Sequence, residues 1–393
     1  MQELVQNSSA IRAMFEEGIQ MARQYGAENV YDFTLGNPAV PAPESVEESI
    51  RRLTRTVPPL RLHGYMPNAG FQDVRGKVAE NLNKRYGTSY TEKNILMTVG
   101  AAGGLNVILK TLLDPGDEVL VFAPFFGEYR SYVENHQGVL KVVPPEKEHF
   151  FPNLEAAKDM MTSRTKAVIL NNPNNPTGVV YPASVIRQLA DLLNQAQGKF
   201  GTSICLISDE PYRELVYDGL TVPFLPAYYR NTVIGYSFSK SLSLPGERIG
   251  YLVIPDEMDD AAGVQSAAAV ANRVLGFVNA PSLMQLAVSE CLDEKADLAF
   301  YDRNRKMLCE GLSAYGYSFI RPQGAFYLWM KSPLEDERSF VQQAKEEHLL
   351  LVPGSTFAGP GFVRIAYCVS PETITRAMPA FRRLAEKAGL SKL

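Results

Sequence analysis

The sequence predicts an α/β protein built on a large, mostly parallel sheet of the seven-stranded type covered by helices, with a smaller α/β domain beside it. Three observations carry this. Short, nearly uninterrupted apolar runs recur at 95–99, 119–123, 167–170, 204–207, 233–236 and 251–254, several separated by helix-length stretches. Runs apolar on both faces that alternate with helices signify a parallel sheet covered on each side. The pattern then becomes mixed after residue 281, and 393 residues exceed the range in which one core keeps growing.

Taken in order, Ser8 or Ser9 can cap a helix whose apolar positions Ile11, Met14, Phe15, Ile19 and Ala22 follow helical spacing and which stops near Tyr25-Gly26. A proline-rich loop over 37–43 follows. Phe71, Val74, Val78 and Leu82 mark one face of a helix over 71–86, and Gly87 suits a left-handed stop. The apolar runs that come next are too short and too rich in β-branched residues for buried helices, and read as strands. Beyond them the spacing predicts helices over 281–293, 296–314 and 337–348 around strands near 325–330 and 362–366. No internal repeat and no low-complexity linker separates the two regions.

Composition excludes several classes. A net charge of -4 and the lack of any basic run argue against a nucleic-acid partner. Cys205, Cys291, Cys309 and Cys368 are far apart and lack the close spacing of zinc or redox sites, so no metal site is expected and the thiols read as reduced. No apolar run approaches a membrane span, and the polar start does not resemble a leader, which gives a cytoplasmic protein acting on small molecules as the expectation.

In an open parallel sheet, ligands bind beyond the carboxyl ends of the strands. There the sequence places Gly100-Ala101-Ala102-Gly103-Gly104, opening a helix whose free amides suit a phosphate; Pro124-Phe125-Phe126, rings for a flat ligand; the run from Asn171 and Asn172 through Asn175 to Gly178; Ser208-Asp209-Glu210-Pro211-Tyr212; and Ser237-Phe238-Ser239-Lys240. Each has an ordinary explanation alone: close packing for small residues, turns for Asn and Pro, a local cap for Asp209, a solvated charge for Lys240. Their shared position changes that reading. A lysine held just after a buried strand sits where its pKa falls toward nucleophilic values. A lysine nucleophile with a carboxylate partner for a pyridinium nitrogen is what an aldehyde cofactor needs to stabilise a carbanion, and Lys240 and Asp209 fit that pair. Tyr212 can donate to the cofactor's phenolic oxygen, while the amides of Ala101 and Ala102, the hydroxyls of Ser237 and Ser239, and Arg248 can hold its phosphate.

These residues resemble the fold type I, class I/II aminotransferases, of the aspartate aminotransferase kind, over nearly the whole chain. The motifs that carry the resemblance are Thr34-Leu35-Gly36-Asn37-Pro38, Tyr65-Met66-Pro67-Asn68-Ala69-Gly70, Asn172-Pro173-Asn174-Asn175-Pro176-Thr177-Gly178, Asp209-Glu210-Pro211-Tyr212, Ser237-Phe238-Ser239-Lys240 with Arg248, Gly324-Ala325-Phe326-Tyr327 and Phe362-Val363-Arg364. The resemblance implies pyridoxal 5'-phosphate held by Lys240 as a Schiff base, with Lys240 also the proton shuttle and Asp209 paired with the pyridinium nitrogen. It further implies Tyr212 and Asn175 at the phenolic oxygen, Phe126 stacked on the ring, and Ala101, Ala102, Ser237, Ser239 and Arg248 around the phosphate. Relatives often carry a hydroxyl at the position of Ala102, so one side-chain hydrogen bond is missing. Arg364 matches the arginine that forks onto the substrate's α-carboxylate, assisted by Gly36 and Asn175. Tyr65 matches a tyrosine reaching the phosphate from a neighbouring subunit, which implies a homodimer. The implied division is residues 1–44 and 286–393 in the small domain and 45–285 in the large cofactor-binding domain.

The implied reaction moves an amino group between an L-amino acid, of the aspartate or glutamate type, and a 2-oxo acid such as 2-oxoglutarate. A dicarboxylate needs a further cation, for which Arg273, Arg12 and His63 are the candidates. Apolar Ile11, Phe15 and Phe126 leave aromatic or aliphatic donors open, and a β-lyase or cyclopropane-forming synthase can share the same lysine, aspartate and arginine. A nicotinamide-dependent oxidoreductase is disfavoured because the glycines at 100–104 lack GxGxxG spacing. A transcription regulator is disfavoured because no helix-turn-helix segment or basic arm is present.

Overall fold

The structure, a computed structural model, describes residues 10–390. The serines expected to cap the first helix, and the side chains of Ile11, Arg12 and Phe15, lie outside what is described.

The first helix covers Ala10–Tyr25 and is followed by strand β1, Tyr31–Asp32. The large sheet has seven strands: β2 Ile95–Thr98, β3 Glu118–Phe122, β4 Val139–Val143, β5 Thr165–Asn171, β6 Cys205–Asp209, β7 Thr232–Ser237 and β8 Gly250–Val253. They lie in the order β2-β8-β7-β6-β5-β3-β4, with only β8 antiparallel to its neighbours. The apolar runs are strands because they are buried on both faces: Val119, Val121, Val168, Leu206, Ile207 and Val233 have no solvent exposure. Strand β4 was not among the expected strands. It is the sheet edge, with Val139 exposed and the next three residues half-buried, so it carries no continuous apolar signal.

The second region is a four-stranded antiparallel sheet of β9 Phe319–Ile320, β10 Tyr327–Lys331, β12 Val352–Pro353 and β13 Phe362–Ala366. β1 pairs in parallel with β11, Leu349–Leu350, so residues from the start of the chain pack with residues from its end. Phe33 accordingly shares one hydrophobic cluster with Leu308, Phe340, Ile365 and Phe381.

The helix expected over 71–86 runs Gln72–Tyr86 and stops at Gly87, whose φ of 68° is the left-handed conformation that glycine adopts without strain. The helix expected over 281–293 is shorter, Ser282–Val288, because Ser289 turns its hydroxyl to the Leu286 carbonyl and Glu290 leaves to meet Ser49 and Arg52. The other two expected helices run Leu298–Ala314 and Glu337–Glu346. Among the described residues, no helix is long and apolar enough to cross a membrane.

Candidate active site

The register of the central strands sets the site. Asn171 at the end of β5 lies opposite Asp209 at the end of β6, and Asp209 lies opposite Gly235, two residues before β7 ends at Ser237. Three parallel strands therefore deliver polar side chains to one edge, while the apolar residues before them are buried in the sheet. A cavity of about 270 Å³ lies over that edge, lined by Gly36, Ala101, Ala102, Phe126, Asn175, Asp209, Tyr212, Ser237, Ser239, Lys240, Arg248 and Arg364 together with Leu35, Leu105, Tyr132, Asn171, Pro211, Pro245 and Tyr327.

Lys240 stands on the short helix Phe238–Ser241, capped by Ser237, and its Nζ donates to the Gly36 carbonyl at 2.5 Å. Burial lowers its ammonium to about 8, with Arg248 and Arg364 adding to the fall against the Cys368 thiol. Near neutral pH the neutral, nucleophilic amine is thus far more populated than in an ordinary lysine, although the ammonium still predominates.

Asp209 is buried, and its Oδ2 accepts from the Tyr129 hydroxyl at 2.5 Å while Oδ1 has no partner. Burial pushes the carboxyl up to about 7, against the proton donated by Tyr129, and Glu210 adds to the rise. Tyr129 was missed by sequence reasoning. It lies three positions after Phe126 on the helix Glu128–Asn135, and only the approach of that helix to β6 gives it a role. Asn171, also buried, donates to the Asp209 carbonyl at 2.9 Å and accepts from the Asn175 amide at 2.7 Å, which fixes the turn after β5.

The helix Gly100–Leu112 begins at this edge without a side-chain cap, so its first amides remain free for an anion. Gly100 has φ +66°, and a Cβ there would meet Arg248 Nη2 at 2.7 Å, so only glycine lets the arginine lie across the helix start. Ser237 and Ser239 hydroxyls are bonded to each other at 2.8 Å beside it.

Arg364 comes from β13, in the small antiparallel sheet. It is 2% exposed; Nη1 donates to Asn175 Oδ1 at 3.0 Å and Nη2 to the Thr34 carbonyl at 2.5 Å, while Nε has no partner. Its guanidinium lies over the rings of Tyr327 and Phe357. Among the described residues no carboxylate pairs with it, its charged or ionisable neighbours being Tyr327, Tyr212 and Cys368, and a buried cation without a counter-charge costs several kcal/mol unless a ligand supplies one.

Of the residues expected to hold the cofactor or the α-carboxylate, Tyr65 alone is not part of this cavity: it is 94% exposed on the surface of the chain. Arg273 and His63 are exposed as well and do not line it; the Arg12 side chain is outside the described residues.

Comparison with known proteins gives the class to which this arrangement belongs. Residues 27–381 match the family model described as aminotransferase class I and II. An aspartate/prephenate aminotransferase of Thermus thermophilus is 33% identical over 97% of each chain, and an aspartate aminotransferase of Thermotoga maritima is 32% identical over 89% of this chain and 90% of its own. A crystal structure of an amino transferase from Eubacterium rectale, 43% identical, superposes with a TM-score of 0.95 over 98% of both chains. The chain belongs to the class I and II aminotransferase family. It is a transaminase dependent on pyridoxal 5'-phosphate.

The residues present suit that cofactor. Asp209 leaves a buried carboxylate oxygen unpaired beside the cavity, where a ring N–H can meet it. Free helix amides, two hydroxyls and an arginine offer donors to a phosphate, and Phe126 offers an apolar face to a flat ring.

Proposed function

We propose that this transaminase takes an amino acid of the aspartate or glutamate type as donor and a 2-oxo acid such as 2-oxoglutarate as acceptor, at the cavity closed by Arg364. The observation that carries the site assignment is the buried guanidinium of Arg364, paired with no carboxylate among the described residues, on the same cavity as Lys240 and Asp209. The names of the Thermus and Thermotoga relatives support the dicarboxylate class.

Bound pyridoxal phosphate supplies an aldehyde to receive the amino group and a ring that draws off the electron pair left when the substrate's Cα–H bond breaks. Lys240 would be its covalent anchor and, once released, the base whose Nζ takes the Cα proton. Asp209 would hold the proton on the ring nitrogen, itself held in place by Tyr129. Tyr212 and Asn175 would face the phenolic oxygen. Burial keeps the Tyr212 hydroxyl well above its usual pKa, so it remains a donor. Phe126 would cover the ring, while the amides of Ala101 and Ala102, Ser237, Ser239 and Arg248 would take the phosphate. Arg364 would fork onto the α-carboxylate, with Gly36 and Asn175 beside it. Gly36 and Arg364 reach the cavity from the two chain ends, which supports a small domain of residues 1–44 and 286–393 packed on a cofactor-binding domain of 45–285.

Single amino acids mixed with the loaded protein, without any oxo acid, test the reading. Aspartate or glutamate should bleach the cofactor's visible absorbance and 2-oxoglutarate should restore it; a panel in which only aromatic or aliphatic donors react would overturn the dicarboxylate assignment. Arg364→Lys keeps the charge but loses the planar fork, so half-bleaching should need about 10- to 100-fold more amino acid at unchanged cofactor content.

The described cations on the cavity are Lys240, Arg248 and Arg364, so a distal carboxylate must be met by Arg12 or from another subunit, where exposed Arg273 and His63 are candidates. Tyr65, exposed in one chain, supports a homodimer with shared sites. Co-expressed Tyr65→Ala and Lys240→Ala chains should then recover up to about a quarter of wild-type activity, because one site in each hybrid dimer has both native residues. Proven subunit exchange with no recovery would make each site self-contained. The four cysteines are all buried and free, which supports a reducing, cytoplasmic setting.

A further inference from the structure

Tyr327 has no part in the roles assigned above, yet it touches both Tyr212 and Arg364. It opens strand β10 and pairs with Ala366, while Trp329 pairs with Arg364. Opposite residues in an antiparallel ladder share a face, and alternate residues along a strand share it too, so Tyr327 and Arg364 project to the same side as diagonal neighbours. The consequence is a guanidinium carbon 4.5 Å from the Tyr327 ring centroid. The other end of the ring carries a hydroxyl 2.9 Å from that of Tyr212. Tyr327 is 3% exposed and lines the cavity.

The space for that hydroxyl is made by a glycine. A Cβ at Gly36 would collide with Tyr327 Oη, so the absence of a side chain at Gly36 is what lets the two tyrosine hydroxyls meet. The Gly36 carbonyl in turn accepts from Lys240.

Hydrogen bookkeeping then fixes the direction. A tyrosine hydroxyl has one proton to give. If Tyr212 gives its proton to the cofactor's phenolic oxygen, its own oxygen is left to accept, and Tyr327 is the donor at 2.9 Å. A hydroxyl that accepts one hydrogen bond donates the next more strongly. We propose that Tyr327 is a positioning residue that couples the two halves of the site, orienting the Tyr212 hydroxyl through its own proton while its ring seats the guanidinium of Arg364. This rests on the assignment of Tyr212 to the phenolic oxygen and of Arg364 to the α-carboxylate.

The Tyr327→Phe protein tests it, since the ring and its packing remain. The pH midpoint of the bound cofactor's absorbance should rise by roughly half a pH unit to one pH unit, because the phenolic oxygen loses part of its stabilisation, and kcat should fall about 3- to 10-fold with KM for the amino acid little changed. A second arm removes the ring: Tyr327→Leu should also raise KM for the amino acid, because Arg364 loses its seat. In a Tyr212→Phe background, Tyr327→Phe should then shift neither the midpoint nor kcat further, since its effect passes through Tyr212. An unchanged midpoint and kcat in the single variant, or a full additional loss in the Tyr212→Phe background, would overturn the proposal. A Tyr212→Phe protein with a normal absorbance titration would instead overturn the assignment of Tyr212 on which the proposal rests.

Discussion

Lys240→Ala should lower transamination by roughly four orders of magnitude, the upper end of what a positioned proton-transfer group contributes. The expected loss is large because no other amine can take over. Among the described residues Lys240 is the one lysine lining the cavity, and its neighbours, the Gly36 carbonyl and the arginines, neither accept a Cα proton nor form a covalent link. Borohydride reduction of the wild-type loaded protein, followed by peptide mapping, gives the independent measurement: the label should sit on Lys240. Recovery of the reduced cofactor on any other lysine would remove Lys240 from the centre of the site.

Asp209→Ala should reduce turnover about 10²- to 10³-fold, in the range reported for deleting one preorganised electrostatic partner, while cofactor content falls far less. The separation follows from the geometry. The proposed phosphate donors at the Gly100–Leu112 helix start and the Phe126 face do not depend on Asp209, whereas among the described residues no other carboxylate lines the cavity to meet the ring nitrogen. The environment also prepares Asp209 for its partner. Burial raises its carboxyl to about 7, and a protonated ring nitrogen against the unpaired Oδ1 would favour the ionised form, so binding a cationic ring would oppose the shift. Near-normal turnover in the alanine variant would show that the ring nitrogen works without this carboxylate.

The legible parts of the molecule were those whose physics is local. Strands β5, β6 and β7 could be read because burial on both faces forces an unbroken apolar run, and the polar residues that follow them could be read as one edge because parallel strands end together. Arg364 was legible from its motif and is physically conspicuous, a charge inside the strand Phe362–Ala366 whose other inner positions are apolar. Strand β4 escaped because an edge strand is half solvated, and β1, β11 and β12 escaped because two residues carry no periodicity. The antiparallel setting of β8 escaped because strand direction leaves no trace in composition. Tyr129, and the part proposed for Tyr327 beyond its motif, escaped for a different reason. Each acquires its role from a hydroxyl meeting a partner far away in sequence, Asp209 in one case and Tyr212 in the other, and nothing in the neighbouring residues encodes that approach.

The pairing of β1 with β11 has a consequence for how the protein is made. Gly36 and Arg364 wall the same cavity, and the Arg364 guanidinium holds the Thr34 carbonyl, so the pocket exists only when the first and last parts of the polypeptide have met. During synthesis the sheet of β2 to β8 can emerge and fold while Tyr31–Asp32 still lacks its companion strand, and closing so long a loop is slow. The complete pocket therefore forms only once β13 has folded back against the residues that follow β1. Folding of the central sheet alone thus leaves the pocket without the wall that β13 supplies.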